Sequence, residues 1–408
     1  MISRRTANSD EKSSGAQATN TIVSIGGCLT EMANNAEENR KMPQSRFAAD
    51  AAMIALEKFA QGRIDRRSLL LALGGLGIAA TIRPRTAAAE ADEIVICNWG
   101  GPAEEAFQKA YGEHFTKQSG IKVAIDGAGP TTGAIRAMVE SKKVTWDVTD
   151  GGLVDALTLG KGGYVDPIDY SVVDKSKVGE GLAQEFGVAN YMFANILAYD
   201  SSKTNGAVPA GWKDFFDFDK YPGKRTMCKW VQGQLESVLL ADGVKAEEIY
   251  PLDVDRAFAK LKPHLPNLIF WESGAQSQQL FRDGEVVMGN IWHTRANLLH
   301  KESDKLAWTW EQSLLFASAW SVPKGNPAGK KVFDFINSSL DPEPQLVLLR
   351  IMGNGPSNPK AREQMTDEDK KVDPATPENA KTALRISPEY YADNEADLQN
   401  KFLDFISS

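Results

Sequence analysis

From Glu93 onward the chain alternates short β-branched runs with amphipathic stretches, and that alternation narrows the available folds more than any other feature of the sequence. Glu93 to Cys97 reads as a strand, and a turn follows at Gly100-Gly101-Pro102. Apolar residues then recur at helical spacing from Ala103 to Ser119, where Gly120 ends the run. Ile121 to Ile125 reads as a second strand, Gly127 to Gly133 as a Gly/Pro/Thr loop, and Ala134 to Lys142 as a second helix. Strand, helix, strand, helix in this order implies an α/β fold whose parallel strands are joined by right-handed crossovers. Ligands of such sheets sit beyond the carboxyl ends of the strands. Three predicted loops occupy that place: Asn98-Trp99-Gly100, Asp126 to Gly133 with Gly129 and Thr131, and Asp147 to Gly152 with Asp150 and Gly151.

What precedes the alternation points to export. Asp65-Arg66-Arg67-Ser68 leads into an apolar run from Leu71 to Ile82 and then into Ala87-Ala88-Ala89-Glu90, the three regions of a cleavable signal. Leu71 to Ile82 is shorter than the roughly 20 apolar residues needed to cross a bilayer, so a permanent membrane helix is the weaker reading. Cleavage is expected after Ala89. The paired arginines suggest export of the folded protein, and general secretion stays open. Residues 46–89 thus form an amphipathic lead-in, Ala51 to Gln61, and the signal itself. Residues 1–45, rich in Ser, Asn and Glu, read as disorder or as a start placed too far upstream.

The chain carries a net charge of −8 with its basic residues scattered, which argues against a nucleic-acid partner. The four histidines, His114, His264, His293 and His300, lack metal-ligand spacing, and no Gly-x-Ser-x-Gly elbow occurs. No cofactor is expected, because Gly127 to Gly133 lacks the lysine-serine/threonine ending of a nucleotide-binding loop. Cys97 and Cys228 stand in apolar, strand-like contexts where buried free thiols are the commoner outcome, a single disulfide being the alternative.

Seven segments together carry a family resemblance: Val95-Ile96-Cys97-Asn98-Trp99-Gly100, His114 to Val123, Thr145-Trp146-Asp147-Val148, Tyr199-Asp200, Tyr221-Pro222-Gly223-Lys224-Arg225, Asp283 to Gly289, and Trp320-Ser321-Val322-Pro323-Lys324-Gly325. In this order the chain resembles the extracellular solute-binding proteins of ABC importers, in particular the spermidine/putrescine-binding group. The resemblance implies a two-lobed type II periplasmic-binding-protein fold whose hinged cleft traps a small solute and hands it to a membrane permease. It implies lobe 1 from 90–190 and 318–356, lobe 2 from 191–317 and 357–408, a monomer, and no enzymatic activity. A cleft enzyme acting through Cys228 beside Lys229 is the competing reading.

The same resemblance places Trp99 and Trp292 along the ligand as opposing walls. Trp230 and Trp271 fall at predicted strand ends and join them as candidates, since an indole offers a flat face to alkyl chains and cations. One departure from the polyamine group bears on ligand charge. The segment expected to supply carboxylates reads Cys228-Lys229-Trp230-Val231-Gln232-Gly233-Gln234, without an acid, and the helix entrance after Trp292 reads His293-Thr294-Arg295. Lys229 and Arg295 favour a carboxylate-bearing or zwitterionic ligand over a polyamine, unless Arg295 pairs with an internal acid such as Glu272 or Asp150.

Overall fold

The computed structural model describes residues 93–408; the expected disordered start, the lead-in, the export signal and its cleavage site lie outside the described residues. Within them an eleven-stranded sheet forms: β1 Glu93–Cys97, β2 Lys122–Asp126, β3 Val148–Gly152, β4 Val165–Asp166, β5 Val188–Asp200, β6 Arg225–Cys228, β7 Leu268–Trp271, β8 Met288–Trp292, β9 Leu306–Pro323, β10 Gly355–Pro356 and β11 Leu384–Arg385. Its main path runs β2-β1-β3-β9-β5-β8-β6-β7. The two ends match the parallel expectation, since β1 pairs in parallel with β2 and β3, and β6 with β7 and β8. The middle does not. Here β5 and β9, 13 and 18 residues long, lie antiparallel to each other and tie the two parallel ends together, so the sheet is mixed.

The early boundaries follow the sequence closely. β1 falls where its β-branched run ends, and the first helix spans Pro102 to Ser119 with one wider turn at Gln108–Gly112. Gly120, left-handed with φ 75°, closes it, a conformation that costs glycine no Cβ clash. Thr131 caps the helix Thr132–Glu140 by accepting a hydrogen bond from the Ala134 N–H at 3.2 Å. Asp147 to Gly152 departs from expectation: it is not a loop, because Val148–Gly152 is strand β3, paired with Ser318 to Ser321 of β9. Its Gly and Asp content hides a strand whose polar groups are satisfied inside the sheet.

Two large apolar cores flank the long strands. One gathers Ile94, Phe107, Tyr111, Trp320 and Phe335, and the other Trp212, Leu235, Val238, Tyr391 and Phe402. Residues fully withdrawn from water in this number contribute roughly 25 cal/mol per Å² of apolar surface, the main favourable term for each half. The closing helix Pro388–Ser407 docks Tyr391, Leu398 and Phe402 on the second core, and also packs on the helix Leu153–Lys161. Cys97 and Cys228 are buried free thiols. No helix among the described residues is long and apolar enough to cross a membrane.

Candidate functional site

Between these cores lies a cavity of about 670 Å³, walled by residues of both: Phe107 and Tyr191 on one side, Val154, Phe316 and Ile386 on the other. Of the residues singled out from sequence, Trp99, Thr131, Asp150, Gly151, Lys229, Trp230, Trp292 and Arg295 line it. Gly100, Gly129 and Trp271 do not, and each stands behind a residue that does.

Gly100 follows the turn after β1, where Asn98 Oδ1 accepts its N–H at 3.0 Å. Its φ is +67°, and a Cβ there would stand 2.6 Å from the Gly127 carbonyl oxygen, so no other residue fits. Gly129 N–H donates to the Asn98 carbonyl at 3.0 Å and backs the Trp99 ring, which a Cβ would meet at 3.8 Å. Trp271 is fully buried, with its indole N–H donating to the Asn290 carbonyl at 3.0 Å. It props Trp292 edge-on at 5.2 Å.

The tryptophans form one wall rather than two opposing ones. Trp230 and Trp292 stack with centroids 5.8 Å apart and planes 15° from parallel, while Trp99 meets Trp230 at 5.2 Å and Trp292 at 6.0 Å. Trp99 and Trp292 therefore touch each other and leave no slot between them. They offer their remaining faces to the cavity together.

Arg295 is the most unusual group in the wall. It is 2 % exposed, donates through Nη2 to the Gly100 carbonyl at 3.3 Å, and leaves Nε and Nη1 without a hydrogen-bond partner among the described residues. Its position follows from His293, two residues earlier at the start of the helix His293–Glu302. His293 Nδ1 accepts from the Ala194 N–H at 3.0 Å and Nε2 donates to the Gly353 carbonyl at 2.8 Å, which fixes one neutral tautomer and bolts the helix start to β5. Burial holds the His293 pKa down to about 4 and that of Arg295 to about 10. Gly274 shapes the other flank, since a Cβ there would stand 2.4 Å from Arg295 Nε and 3.0 Å from the Trp292 ring.

Neither internal acid considered from sequence takes up Arg295. Glu272 pairs with Lys229, so Lys229 is already engaged. Asp150, buried on β3, accepts from Asn190 Nδ2 at 3.0 Å, Tyr191 Oη at 2.9 Å and Ser318 Oγ at 2.8 Å. Burial lifts its pKa to about 6 against the pull of those three donors. A buried guanidinium with two open nitrogens is costly unless something arrives to pair with it, and a carboxylate oxygen is the acceptor that suits its charge.

Sequence reading overlooked Asp155, Asn195, Asn354 and Glu395, all of which line the cavity. A signal for Glu395 did exist. It lies on the same helical face as Tyr391, Leu398 and Phe402, an acid in an otherwise apolar stripe. The residues around Cys228 offer no catalytic arrangement. Its thiol is 2 % exposed, accepts from the Trp230 N–H at 3.4 Å, and is pushed far up from its ordinary pKa by burial, the opposite of an activated nucleophile.

Comparison with known proteins agrees with a binding site. A family model described as "Bacterial extracellular solute-binding protein" matches residues 110–378. The gamma-aminobutyric acid-binding protein of Pseudomonas aeruginosa is 32 % identical over 81 % of this chain and 94 % of its own. Among solved structures, a GABA receptor, Atu4243, is 32 % identical with a TM-score of 0.69, covering 77 % of this chain and 97 % of its own. The periplasmic binding protein AgtB of Agrobacterium tumefaciens R10, in complex with agropinic acid, is 31 % identical with a TM-score of 0.73, covering 78 % and 99 %. These relatives bear the names of binding proteins and not of enzymes, and their two-lobed periplasmic-binding-protein fold is the one built here around β5 and β9. With a ligand-sized cavity between two cores and no activated nucleophile in its wall, the chain belongs to the bacterial extracellular solute-binding proteins that serve ABC transporters.

Proposed function

We propose that this protein is a periplasmic receptor that captures a small amino-acid-like solute, holds its carboxylate on Arg295, and delivers it to the permease of an ABC importer. The observation that carries this reading is the Arg295 guanidinium, buried in the cavity wall with Nε and Nη1 open. A polyamine would bring positive charge against a cation that lacks any neutralising carboxylate of its own. A carboxylate instead gains charge-assisted hydrogen bonds to a guanidinium that is itself buried. Relatives named for gamma-aminobutyric acid and agropinic acid support a carboxyl-bearing ligand. In this reading Trp99, Trp230 and Trp292 cover the aliphatic part of the solute, and Thr131, Asp150 and Gly151 complete the wall.

Trapping follows from the long strands. Closure of lobe 1 (90–190 and 318–356) on lobe 2 (191–317 and 357–408) turns about β5 and β9, after export and cleavage near Ala89. Calorimetry with GABA, other amino acids, small organic acids, putrescine and spermidine tests the reading. Carboxylate ligands should bind and lose most of their affinity in Arg295→Ala. Tight putrescine binding that survives Arg295→Ala would overturn it.

A further inference from the structure

In the wall of the same cavity, two carboxyl groups meet. Asp155 comes from the helix Leu153–Lys161 and Glu395 from the closing helix Pro388–Ser407. They lie within hydrogen-bonding reach of each other, and Gln232 Nε2 bridges them, 2.6 Å from Glu395 Oε1 and 3.4 Å from Asp155 Oδ1. Two carboxyls in contact cannot both be ionised without strong repulsion, so the pair holds one proton between them. Burial raises both carboxyls above the usual carboxylate range; the charge of Asp155 raises Glu395 further, whereas the hydrogen bond from Glu395 pulls Asp155 back.

The charged groups around the pair do not neutralise it. Arg136, from the helix Thr132–Glu140, acts on Glu395 only through space and lies over the Tyr164 ring at 5.6 Å. Lys161 pairs with Asp393 at the surface, at 2.6 Å. The Gly152 N–H donates to Asp155 Oδ2 at 2.9 Å. No lysine or arginine among the described residues forms an ion pair with either carboxyl.

A second observation points the same way. Asn195 on β5 is 3 % exposed, lines this cavity, and has an Oδ1 without a hydrogen-bond partner. Its amide lies beside the turn that follows Gln232, since a Cβ on Gly233 would stand 3.1 Å from Asn195 Nδ2. This stretch of wall therefore combines a carboxyl pair that has no cation with an amide oxygen that has no donor, just as Arg295 presents donors that lack acceptors. The other acids in the wall are already occupied, Asp150 by three donors and Glu272 by Lys229.

We propose that Asp155, Glu395 and Asn195 form the cation pole of the cavity, taking a primary ammonium group on the solute whose carboxylate Arg295 holds, and that its arrival sends the proton shared by the two carboxyls to bulk water. An ammonium supplies three N–H donors, which suits two carboxylate oxygens and one amide oxygen. The inference rests on the receptor reading above and adds to it which groups hold the amine of the solute, and that binding weakens as the pH falls and protons compete for the pair.

The test is calorimetry of the purified protein at neutral pH with GABA and with butyrate, which lacks the amine, in buffers of different ionisation enthalpy. GABA should release about one proton per molecule bound and butyrate none. Glu395→Gln should abolish the release and weaken GABA about tenfold or more, leaving butyrate unchanged. Arg295→Gln should weaken both ligands, and Asp393→Asn, on the same helix at the surface, neither. Arg295-dependent GABA binding with no proton release and no response to Glu395→Gln would overturn the cation pole while leaving the receptor reading intact. Absence of binding by both probes, or binding indifferent to Arg295, would overturn the two together.

Discussion

Replacing Gly274 by Ala separates ligand recognition from folding more cleanly than removing Arg295 itself. The new Cβ would stand 2.4 Å from Arg295 Nε, so the guanidinium must retreat by about 1 Å to reach an ordinary contact distance of about 3.5 Å. The Trp292 ring, 3.0 Å from the same Cβ, blocks one direction of retreat. A shift of that size breaks the alignment of the Arg295 N–H donors with a carboxylate, and a hydrogen bond to a charged group contributes about 1.5–3 kcal/mol. Affinity for GABA should drop about tenfold to a hundredfold. Folding should respond only modestly, because Gly274 is the first residue of the helix Gly274–Arg282, where Ala recovers at most about 0.5–1 kcal/mol, the amount by which it is favoured over Gly inside a helix. That gain offsets part of an overpacking cost of about 1–3 kcal/mol. Calorimetry and thermal melts of the unliganded variant read the two effects separately. Undiminished GABA affinity in Gly274→Ala, alongside loss of affinity in Arg295→Ala, would show that the guanidinium position does not set recognition.

Three further expectations concern other parts of the site. Trp99→Ala and Trp292→Ala should each weaken binding by about 1–3 kcal/mol, as aromatic anchors do, and ligand should change the tryptophan emission of the unaltered protein; equal affinity in both variants would make the rings mere packing. His293 should titrate near pH 4 by NMR. The unfolded chain, with a histidine pKa of about 6.5, takes up that proton first, so this group's contribution, up to about 3 kcal/mol, is full above pH 6.5 and lost as pH falls toward 4; titration near 6.5 would contradict the buried neutral tautomer. Cys228 should resist thiol reagents until the protein is denatured, and Cys228→Ala should keep ligand affinity with no turnover in either form; rapid labelling of the native protein would contradict its burial.

Local signals made the first part of the fold readable. The β-branched run of β1 and the glycine at 120 are each set by their own neighbours, and they fall where expected. β3 was missed because Thr149-Asp150-Gly151-Gly152 has turn chemistry, and only its partners Asn190, Tyr191 and Ser318, distant in sequence, satisfy it inside a sheet. The antiparallel centre was unreadable for the same reason, since the pairing of β5 with β9 joins segments more than a hundred residues apart. Arg295 was legible as an unexpected charge, but its freedom from Glu272 and Asp150 depends on which donors reach those acids first. Asp155 and Glu395 meet only when the closing helix docks, a juxtaposition that no local pattern encodes.

A crystal structure of the protein with GABA tests the central claim most directly. The ligand carboxylate should lie in the cavity within hydrogen-bonding distance of Arg295 Nε or Nη1, its methylenes against Trp99, Trp230 and Trp292. A GABA molecule bound with its carboxylate elsewhere, and with both Arg295 nitrogens still unpaired, would contradict it.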